Sequence, residues 1–284
     1  KSMIYLFYFF IFFLGAALGS FLNVAAERLA LGKSLWGRSR CESCGRKLEF
    51  WDLAPIFSFL FLWGKCRACG QKFSWRYFWT ELGLGAMFIL IFWKFAGNFI
   101  ASGIEGWGFF VICYMLFVAC LLFLIFLSDL KHFIIPDEAI VAGAIGFIVY
   151  KVFEIFNFGY LNFIGNFTLS GVEGWKLELG NFLLASLISG GFFLVLVLIS
   201  KGRWMGWGDV KLAFLLGLWL GWPGVLVALF LAFFSGSIVG TALIFARKKT
   251  LKSEVPFGTF LAVSTFVVLL WGQEILKWYW GLLG

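Results

Sequence analysis

Two aspartates stand where long apolar runs meet short polar segments, and their type and position could support chemistry. Asp129 ends one apolar run in FLSDLKHF, and Asp209 begins another in GWGDVKLAF. An ionised aspartate costs roughly 2.5 to 3.5 kcal/mol or more at the centre of a membrane helix, so such residues call for an explanation. Two carboxyls at one depth can share a proton and position a water between them, with one as acid and the other as base. This is the chemistry of aspartyl peptide hydrolysis.

Each aspartate can also be tested against a plainer interpretation as a helix cap. Asp209 begins a helix, where a carboxylate binds free amides and complements the helix dipole. Asp129 ends a helix, where the dipole opposes a negative charge, so capping does not account for it. Gly206 and Gly208 remove side chains from the backbone just before Asp209. We predict that they form a hinge at which an extended substrate strand approaches this carboxylate.

A second group of residues with chemical potential consists of cysteines. Two C-x-x-C pairs stand 21 residues apart, formed by Cys41, Cys44, Cys66 and Cys69. Four thiolates at this spacing can close a tetrahedral site that leaves no open position on the metal. We therefore predict a structural Zn²⁺ site rather than a catalytic one. The alternative is a set of four ordinary reduced thiols.

The composition indicates what kind of fold must position these residues. Of the 284 residues, 62% are hydrophobic and 13% are charged, whereas a soluble domain has about 45–50% apolar and about 25% charged residues. Several apolar runs exceed the roughly 20 residues that cross a bilayer as a helix, and none alternates with the period of a barrel strand. We predict an all-α polytopic membrane protein with about eight transmembrane helices and a small zinc-binding cytoplasmic insert. The predicted spans are 3–26, 79–96, 108–128, 138–156, 181–200, 210–221, 223–246 and 257–282.

The chain is predicted to have three parts. Residues 1–26 form the first transmembrane helix, 27–78 form the cytoplasmic insert with the cysteines, and 79–284 form a transmembrane core. The insert has too few residues to be stabilised by its own core, so a bound zinc would hold it together. Its apolar stretch DLAPIFSFLFLWG could lie against the membrane surface or pack on the helices.

The charge distribution predicts the orientation of the chain. Alternating the spans places 18 of the 23 Lys and Arg residues on one side, which the positive-inside rule makes cytoplasmic. Asp129 and Asp209 then lie at the same depth on the cytoplasmic side. The net charge of +8 is interpreted as this topology signal, and we predict no nucleic-acid partner because a separate basic domain is absent. No role is predicted for the outer loop 157–180.

Taken together, the motifs resemble those of bacterial type IV prepilin peptidases, of the GxGD aspartyl protease group. GSFLNVAAERL (19–29) resembles the first-helix signature of that family, and the cysteine pairs resemble its insert. SDLKHFIIPD and GWGDVKLAFLLG resemble its two catalytic motifs, and PFGTFLA (256–262) resembles its last-helix signature. The resemblance implies a multi-pass enzyme of the bacterial inner membrane with its active site facing the cytoplasm. It assigns Asp129 and Asp209 as the catalytic dyad.

The resemblance also implies substrates and a second activity. Family members remove leader peptides from prepilins and pseudopilins on the cytoplasmic side of the lipid bilayer, and many then methylate the new N-terminus with S-adenosylmethionine. No residue here identifies an adenosylmethionine site, and the sequence carries no signal for an oligomeric state. Thr259 stands where family members often carry proline, and we expect this departure to affect substrate fit without touching the dyad.

Two other classes of protein are weighed against this one. A proton-coupled membrane transporter using Asp129 and Asp209 as a relay would have acidic residues near the bilayer midplane and repeated halves. Here the aspartates lie at the interface and the halves show no repeat. A zinc-dependent methyltransferase without protease activity would keep methylating a pre-cleaved substrate after the dyad is replaced.

Overall fold

Most of the residues that the structure describes lie in helices, in agreement with the predicted fold class. The computed structural model describes residues 2–35, 37, 40, 41, 43–102, 107–156, 172–246 and 255–283. The helices are α1 (Ser2–Ala30), a short 3-10 helix (Phe50–Leu53), α2 (Phe57–Phe61), α3 (Trp75–Ser102), α4 (Trp107–His132), α5 (Asp137–Phe156), α6 (Val172–Ser200), α7 (Trp207–Phe245) and α8 (Phe257–Leu283). Most of the loop 157–180, and the basic segment 247–252, lie outside the described residues.

Six of the described helices are long and apolar enough to cross a membrane, namely α1, α3, α4, α6, α7 and α8. The predicted all-α polytopic membrane fold is therefore confirmed. The predicted count of about eight spans differs from six for two reasons. The prediction included α5, which carries both acidic and basic residues along its 20 positions, and it divided α7 into two spans.

The helix α7 is interrupted at the point where the sequence LGWPG predicts a division. Gly221, with a φ of 60°, and Trp222 have non-helical torsion angles just before Pro223. The side chain of Asn181 on α6 accepts a hydrogen bond from the Trp222 N–H and donates one to the Trp222 carbonyl, both at 3.1 Å. Backbone groups released inside a membrane need such partners, because lipid offers none. Asn181 thus stabilises the interruption.

The chain divides into two compact units, residues 1–124 and 125–284. In the first unit, α1 packs closely on α3, because a Cβ added at Gly15 would lie only 2.9 Å from the Cα of Gly85. Small residues allow helices to approach this closely in lipid. The borders predicted for the insert, 27 and 78, fall inside helices, since α1 continues to Ala30 and α3 already begins at Trp75. These borders remain predictions.

In the second unit, α7 packs against α5, α6 and α8. A Cβ added at Gly217 would overlap the Cα of Ser186 on α6, so these two helices are in backbone contact. On the α5 side, the indole N–H of Trp219 donates to the carbonyl of Gly143 at 3.3 Å. These contacts fix the position of the helix whose first turn contains Asp209.

Candidate active site and metal centre

A cavity of about 260 Å³ lies where α4 ends and where α5 and α7 begin. Asp129, from the last turn of α4, and Asp209, from the first turn of α7, both line it. The charge of Asp129 also acts on Asp209, so the two carboxyls interact electrostatically. The structure therefore brings the two predicted residues to one cavity, which is far larger than the space that one water occupies.

Asp129 is held in place by the start of α8. It is only 5% exposed, and its Oδ2 accepts a hydrogen bond from the Thr259 N–H at 2.7 Å. The Gly258 N–H bonds to the same carboxyl. Amides in the first turn of a helix have no partner within the helix and carry partial positive charge. The start of α8 therefore offers this carboxyl the favourable dipole that the end of its own helix does not.

Gly258 allows this close approach, since a Cβ added there would lie 3.0 Å from Oδ2 of Asp129. The expectation that Thr259 does not touch the dyad is wrong, because its N–H contacts Asp129 directly. A proline at this position has no N–H to donate. The sequence signal for this contact is the proline of PFGTF, Pro256. A proline there predicts the start of a helix, whose first amides have no partners within the helix.

Asp209 both lines the cavity and caps its own helix. Gly206 is the N-cap of α7, with φ of −80° and ψ of 156°, and its N–H bonds back to the Asp209 carboxyl. This is half of a capping box, in which the third helical residue reaches back to the N-cap amide. Asp209 therefore caps its helix, as the plainer interpretation predicts, and also lines the cavity.

The two glycines before Asp209 have different surroundings. A Cβ added at Gly206 would meet nothing closer than 3.9 Å, so this residue borders open space in the cavity. A Cβ at Gly208 would lie 3.2 Å from the side chain of Ile135, and one at Gly258 would lie 3.0 Å from it. Ile135, which the sequence analysis did not single out, packs between Gly208 and Gly258. Its packing thereby links the loop after α4 to α7 and α8.

A salt bridge joins two helices at the edge of the cavity. The Lys211 Nζ on α7 lies 2.6 Å from Oδ1 of Asp137, the first residue of α5. Both side chains are exposed, and an exposed pair contributes less than about 1 kcal/mol to stability. We interpret this bridge as a contact that orients the two helix starts.

The four predicted cysteine ligands lie together in the first unit. Their Sγ atoms are all within 4.8 Å of one another, and the Sγ atoms of Cys41 and Cys69 are 3.8 Å apart. Two sulfurs of a tetrahedral site with metal–sulfur bonds of about 2.3 Å are separated by roughly this distance. The four cysteines, Cys41, Cys44, Cys66 and Cys69, form no disulfide and fit a four-sulfur metal centre.

The two cysteine pairs have the same local backbone. The Gly45 N–H donates to the Cys41 carbonyl and the Gly70 N–H donates to the Cys66 carbonyl, both at 2.9 Å. These glycines have φ of 69° and 70°, values that glycine adopts without steric cost. The backbone N–H of Cys69, the largest influence, lowers the pKa of Cys66 to about 7. Because the thiolate is the metal-binding form, this turn favours the form of Cys66 that can bind a metal.

The fold defines a multi-pass membrane protein, with two aspartates at one cavity and four clustered cysteines that could bind a metal. Residues 13–95 match the Bacterial Peptidase A24 N-terminal domain, and residues 115–241 match the Type IV leader peptidase family. The first match contains the four cysteines and the second contains Asp129 and Asp209. The chain belongs to the type IV leader peptidase family and is a multi-pass enzyme of the bacterial inner membrane.

Several relatives share the name prepilin leader peptidase/N-methyltransferase. The relative from Pseudomonas putida is 28% identical, over 95% of this chain and 93% of that protein. The one from Bacillus subtilis (strain 168) is 26% identical over 95% and 96%. The one from Myxococcus xanthus (strain DK1622) is 30% identical over 70% and 65%. No solved structure matches the chain significantly.

Proposed function

We propose that this protein is an aspartyl endopeptidase that removes leader peptides from prepilins and pseudopilins at the cytoplasmic face of the membrane. Asp129 and Asp209 are its catalytic residues. The observation that carries the proposal is that both carboxyls line one cavity, although they come from different helices. The cytoplasmic orientation is supported by the excess of Lys and Arg on that side of the predicted topology.

In this mechanism the two carboxyls hold one proton between them. The ionised carboxyl takes a proton from a water, whose oxygen forms a bond to the carbonyl carbon of the scissile peptide. The protonated carboxyl gives its proton to the carbonyl oxygen. The carboxyl that took the proton from the water then gives it to the amide nitrogen, and the other carboxylate takes a proton from a hydroxyl of the tetrahedral intermediate. The carbon–nitrogen bond breaks, which releases the leader as an acid and the pilin as an amine, and the dyad again holds one proton. The amides of Gly258 and Thr259 fix the orientation of Asp129 throughout.

The edge of the cavity suits the proposed substrates. Phe133, Ile134 and Trp207 line it and leave large apolar surfaces exposed, which can receive the first residues of a hydrophobic pilin helix. Gly206 leaves space for a backbone beside Asp209. The family resemblance implies substrates that usually carry a glycine before the cut, and a residue without a side chain fits this narrow approach.

We propose a structural zinc in the cysteine centre and a second activity for the enzyme. The zinc would be held by Cys41, Cys44, Cys66 and Cys69, and would stabilise the insert without taking part in hydrolysis. After cleavage, the new N-terminal amine is methylated with S-adenosylmethionine, as the names of the relatives indicate. No residue in the described part of the chain is assigned to S-adenosylmethionine, so no step is derived for this transfer.

The test is to incubate the purified protein in liposomes with a full-length prepilin and to follow the substrate by mass spectrometry. The expected product lacks the leader, and gains the mass of one methyl group only when S-adenosylmethionine is added. A prepilin with a bulky residue in place of the glycine before the cut is the control and should stay intact. An intact wild-type prepilin after long incubation would contradict the proposal.

Gly206→Ala tests the predicted approach of the substrate to Asp209. The added Cβ has room in the folded protein, so we expect unchanged thermal stability. It occupies space proposed for the substrate backbone, so we expect KM for the prepilin to rise about tenfold, the equivalent of about 1.4 kcal/mol. Gly240→Ala, on the same helix with nothing within 4 Å, is the control. Equal KM values for the two variants would show that substrate does not approach Gly206.

Gly258→Ala tests the support of Asp129 by α8. The added Cβ would lie 3.0 Å from Oδ2 of Asp129, so the carboxyl must move. Misplacing a reacting group by about 1 Å can cost roughly 100-fold in rate, and we expect kcat for cleavage to fall about 10- to 100-fold. Gly281→Ala, on the same helix with nothing within 4 Å, should match the wild type. A wild-type kcat for Gly258→Ala would argue against this support.

A further inference from the structure

The short helix α2 exposes large apolar side chains although it belongs to the insert between two membrane spans. Phe61 is 81% exposed and Trp63 is 86% exposed. Phe57 and Leu60 also leave about half of their surfaces uncovered, and no residue of α2 is buried. A water-soluble segment rarely leaves so much contiguous apolar surface exposed, so a surface of this kind marks an interaction site.

The helix α2 is fixed to the two membrane-spanning helices of its unit. The Ile56 N–H donates to Oε2 of Glu81 on α3 at 2.7 Å. The ring of Phe57 stacks on Phe13 of α1, with centroids 5.3 Å apart and planes 8° apart. On its other face, the ring of Phe59 lies 5.0 Å from Trp75, the first residue of α3. The helix therefore lies beside α1 and α3, while Phe61 stays largely exposed.

The residues that α2 contacts lie within the membrane spans, not beyond their ends. Phe13 is inside the apolar span Tyr5–Ala30, and Glu81 is inside the span Trp75–Phe95. Glu81 is in the second turn of α3, so it lies roughly 9 Å along the helix from Trp75 at the normal helical rise. A segment bonded to Glu81 and stacked on Phe13 is therefore below the level at which α3 begins.

The apolar surface of α2 is continuous with the lipid-facing surface of α1. The ring of Phe9, which is exposed on the span α1, lies 4.5 Å from the ring of Phe13. Phe13 stacks on Phe57, and Phe57 stacks on Phe61 at 6.4 Å. A row of aromatic rings thus leads from a face that lipid must cover to the most exposed part of α2.

The sequence around this row is rich in tryptophans and basic residues, the types that a bilayer interface favours. The exposed tryptophans of this region are Trp51, Trp63, Trp75 and Trp79, and tryptophan is enriched where the acyl region meets the headgroups. The insert, residues 27–78, contains ten Lys and Arg against four Asp and Glu residues. Basic residues next to an apolar anchor add attraction to anionic phospholipids.

We propose that residues 54–64 are a membrane anchor, embedded in the lipid beside α1 and α3. Phospholipid acyl chains are the partner of the exposed surface of Phe57, Leu60, Phe61 and Trp63. Cys66 follows this anchor directly, so the cysteine centre is held at the membrane surface. The proposal does not depend on the peptidase assignment, since its residues are separate from Asp129 and Asp209.

Photocrosslinking tests this proposal in the full-length protein in liposomes that contain an isotopically labelled phospholipid. With p-benzoylphenylalanine in place of Phe61, we expect a phospholipid adduct in a yield similar to that from Phe10, which is exposed on α1. The same replacement at Lys47, an exposed residue near the cysteines, should give at least about fivefold less adduct. A position-61 yield no higher than that of position 47 would overturn the proposal. So would crosslinking of position 61 to an added prepilin or to a second copy of the chain in place of lipid.

A proteolysis experiment gives an independent readout. Phe61→Asp should expel α2 from the lipid and make tryptic cleavage after Lys65 and Arg67 at least several-fold faster in liposomes. Leu35→Asp, an exposed residue of the same insert outside α2, should leave the cleavage rate unchanged. Metal content is measured on both variants to show that the cysteine centre is retained. With the metal retained, an unchanged cleavage rate for Phe61→Asp would contradict the anchor.

Discussion

Asp129→Asn and Asp209→Asn are each expected to reduce kcat for prepilin cleavage by roughly 10²- to 10⁴-fold, the usual contribution of a general acid or base. Asparagine has nearly the shape of aspartate but can neither accept nor release the proton that the water and the peptide carbonyl require. Since both carboxyls act in one proton exchange, the double variant should be little slower than either single variant.

The control for this prediction is Glu138→Gln, which removes an exposed carboxyl next to the cavity residue Asp137 without lining the cavity. It should cleave at the wild-type rate. Thermal melting in detergent should show that all four variants are folded. Cleavage at more than about one tenth of the wild-type rate by Asp129→Asn or Asp209→Asn would refute the dyad, because a lost acid or base costs more than that.

The same variants separate the two proposed activities. A pre-cleaved pilin supplied to Asp129→Asn or Asp209→Asn should still be methylated when S-adenosylmethionine is present, because the dyad takes no part in that transfer. Loss of methylation together with cleavage, in a protein that still melts like the wild type, would place both reactions at one site.

Cys41→Ser is expected to remove the metal and unfold the insert. Structural zinc in small zinc-finger peptides contributes about 10–16 kcal/mol at neutral pH, which a segment of this size cannot replace by burying its own side chains. Elemental analysis should find about one zinc per wild-type chain and almost none in the variant. Tryptic cleavage between α1 and α3 should become at least tenfold faster.

The matched control is Cys113→Ser, which removes a thiol from α4 outside the cysteine cluster. It should retain the zinc and the wild-type proteolysis rate. Stoichiometric zinc in the double variant Cys41→Ser and Cys66→Ser would exclude the proposed ligand set, since both pairs would then be broken. Zinc-free wild-type protein, purified with zinc present, would support the alternative of four ordinary thiols.

The sequence alone was sufficient wherever the signal is local. Runs of apolar residues report membrane helices directly, because the bilayer imposes a minimum length and excludes charge. The cysteine pairs predict that the four thiols lie together, as they do, because ligand type and spacing set the possible geometry. The motif around Asp209 likewise contains both the carboxyl and the residues that begin the helix. Each of these features depends on residues that are close together in the sequence, so the residue types alone indicate it.

Other features depend on contacts between distant parts of the chain. The sequence predicts α5 and both halves of α7 as spans. Length and composition alone identify six spans among the described residues, but α7 is interrupted at Gly221 and Trp222, as the sequence predicts. Asn181 stabilises the interruption of α7 through the backbone of Trp222, and nothing near Asn181 in the sequence indicates this. The sequence left open whether the segment of α2 lies against the membrane surface or packs on the helices. Only its contacts with Phe13 and Glu81 show that it lies beside α1 and α3.

The sequence by itself determined the class of fold, the four-cysteine set and the presence of two aspartates at the ends of apolar runs. Only the tertiary structure decided that both carboxyls reach one cavity and that α8 holds Asp129 through Gly258 and Thr259. The physical reason is that those two donors are backbone amides. Every residue except proline has such an N–H, so the sequence cannot show where it points until the helices are packed.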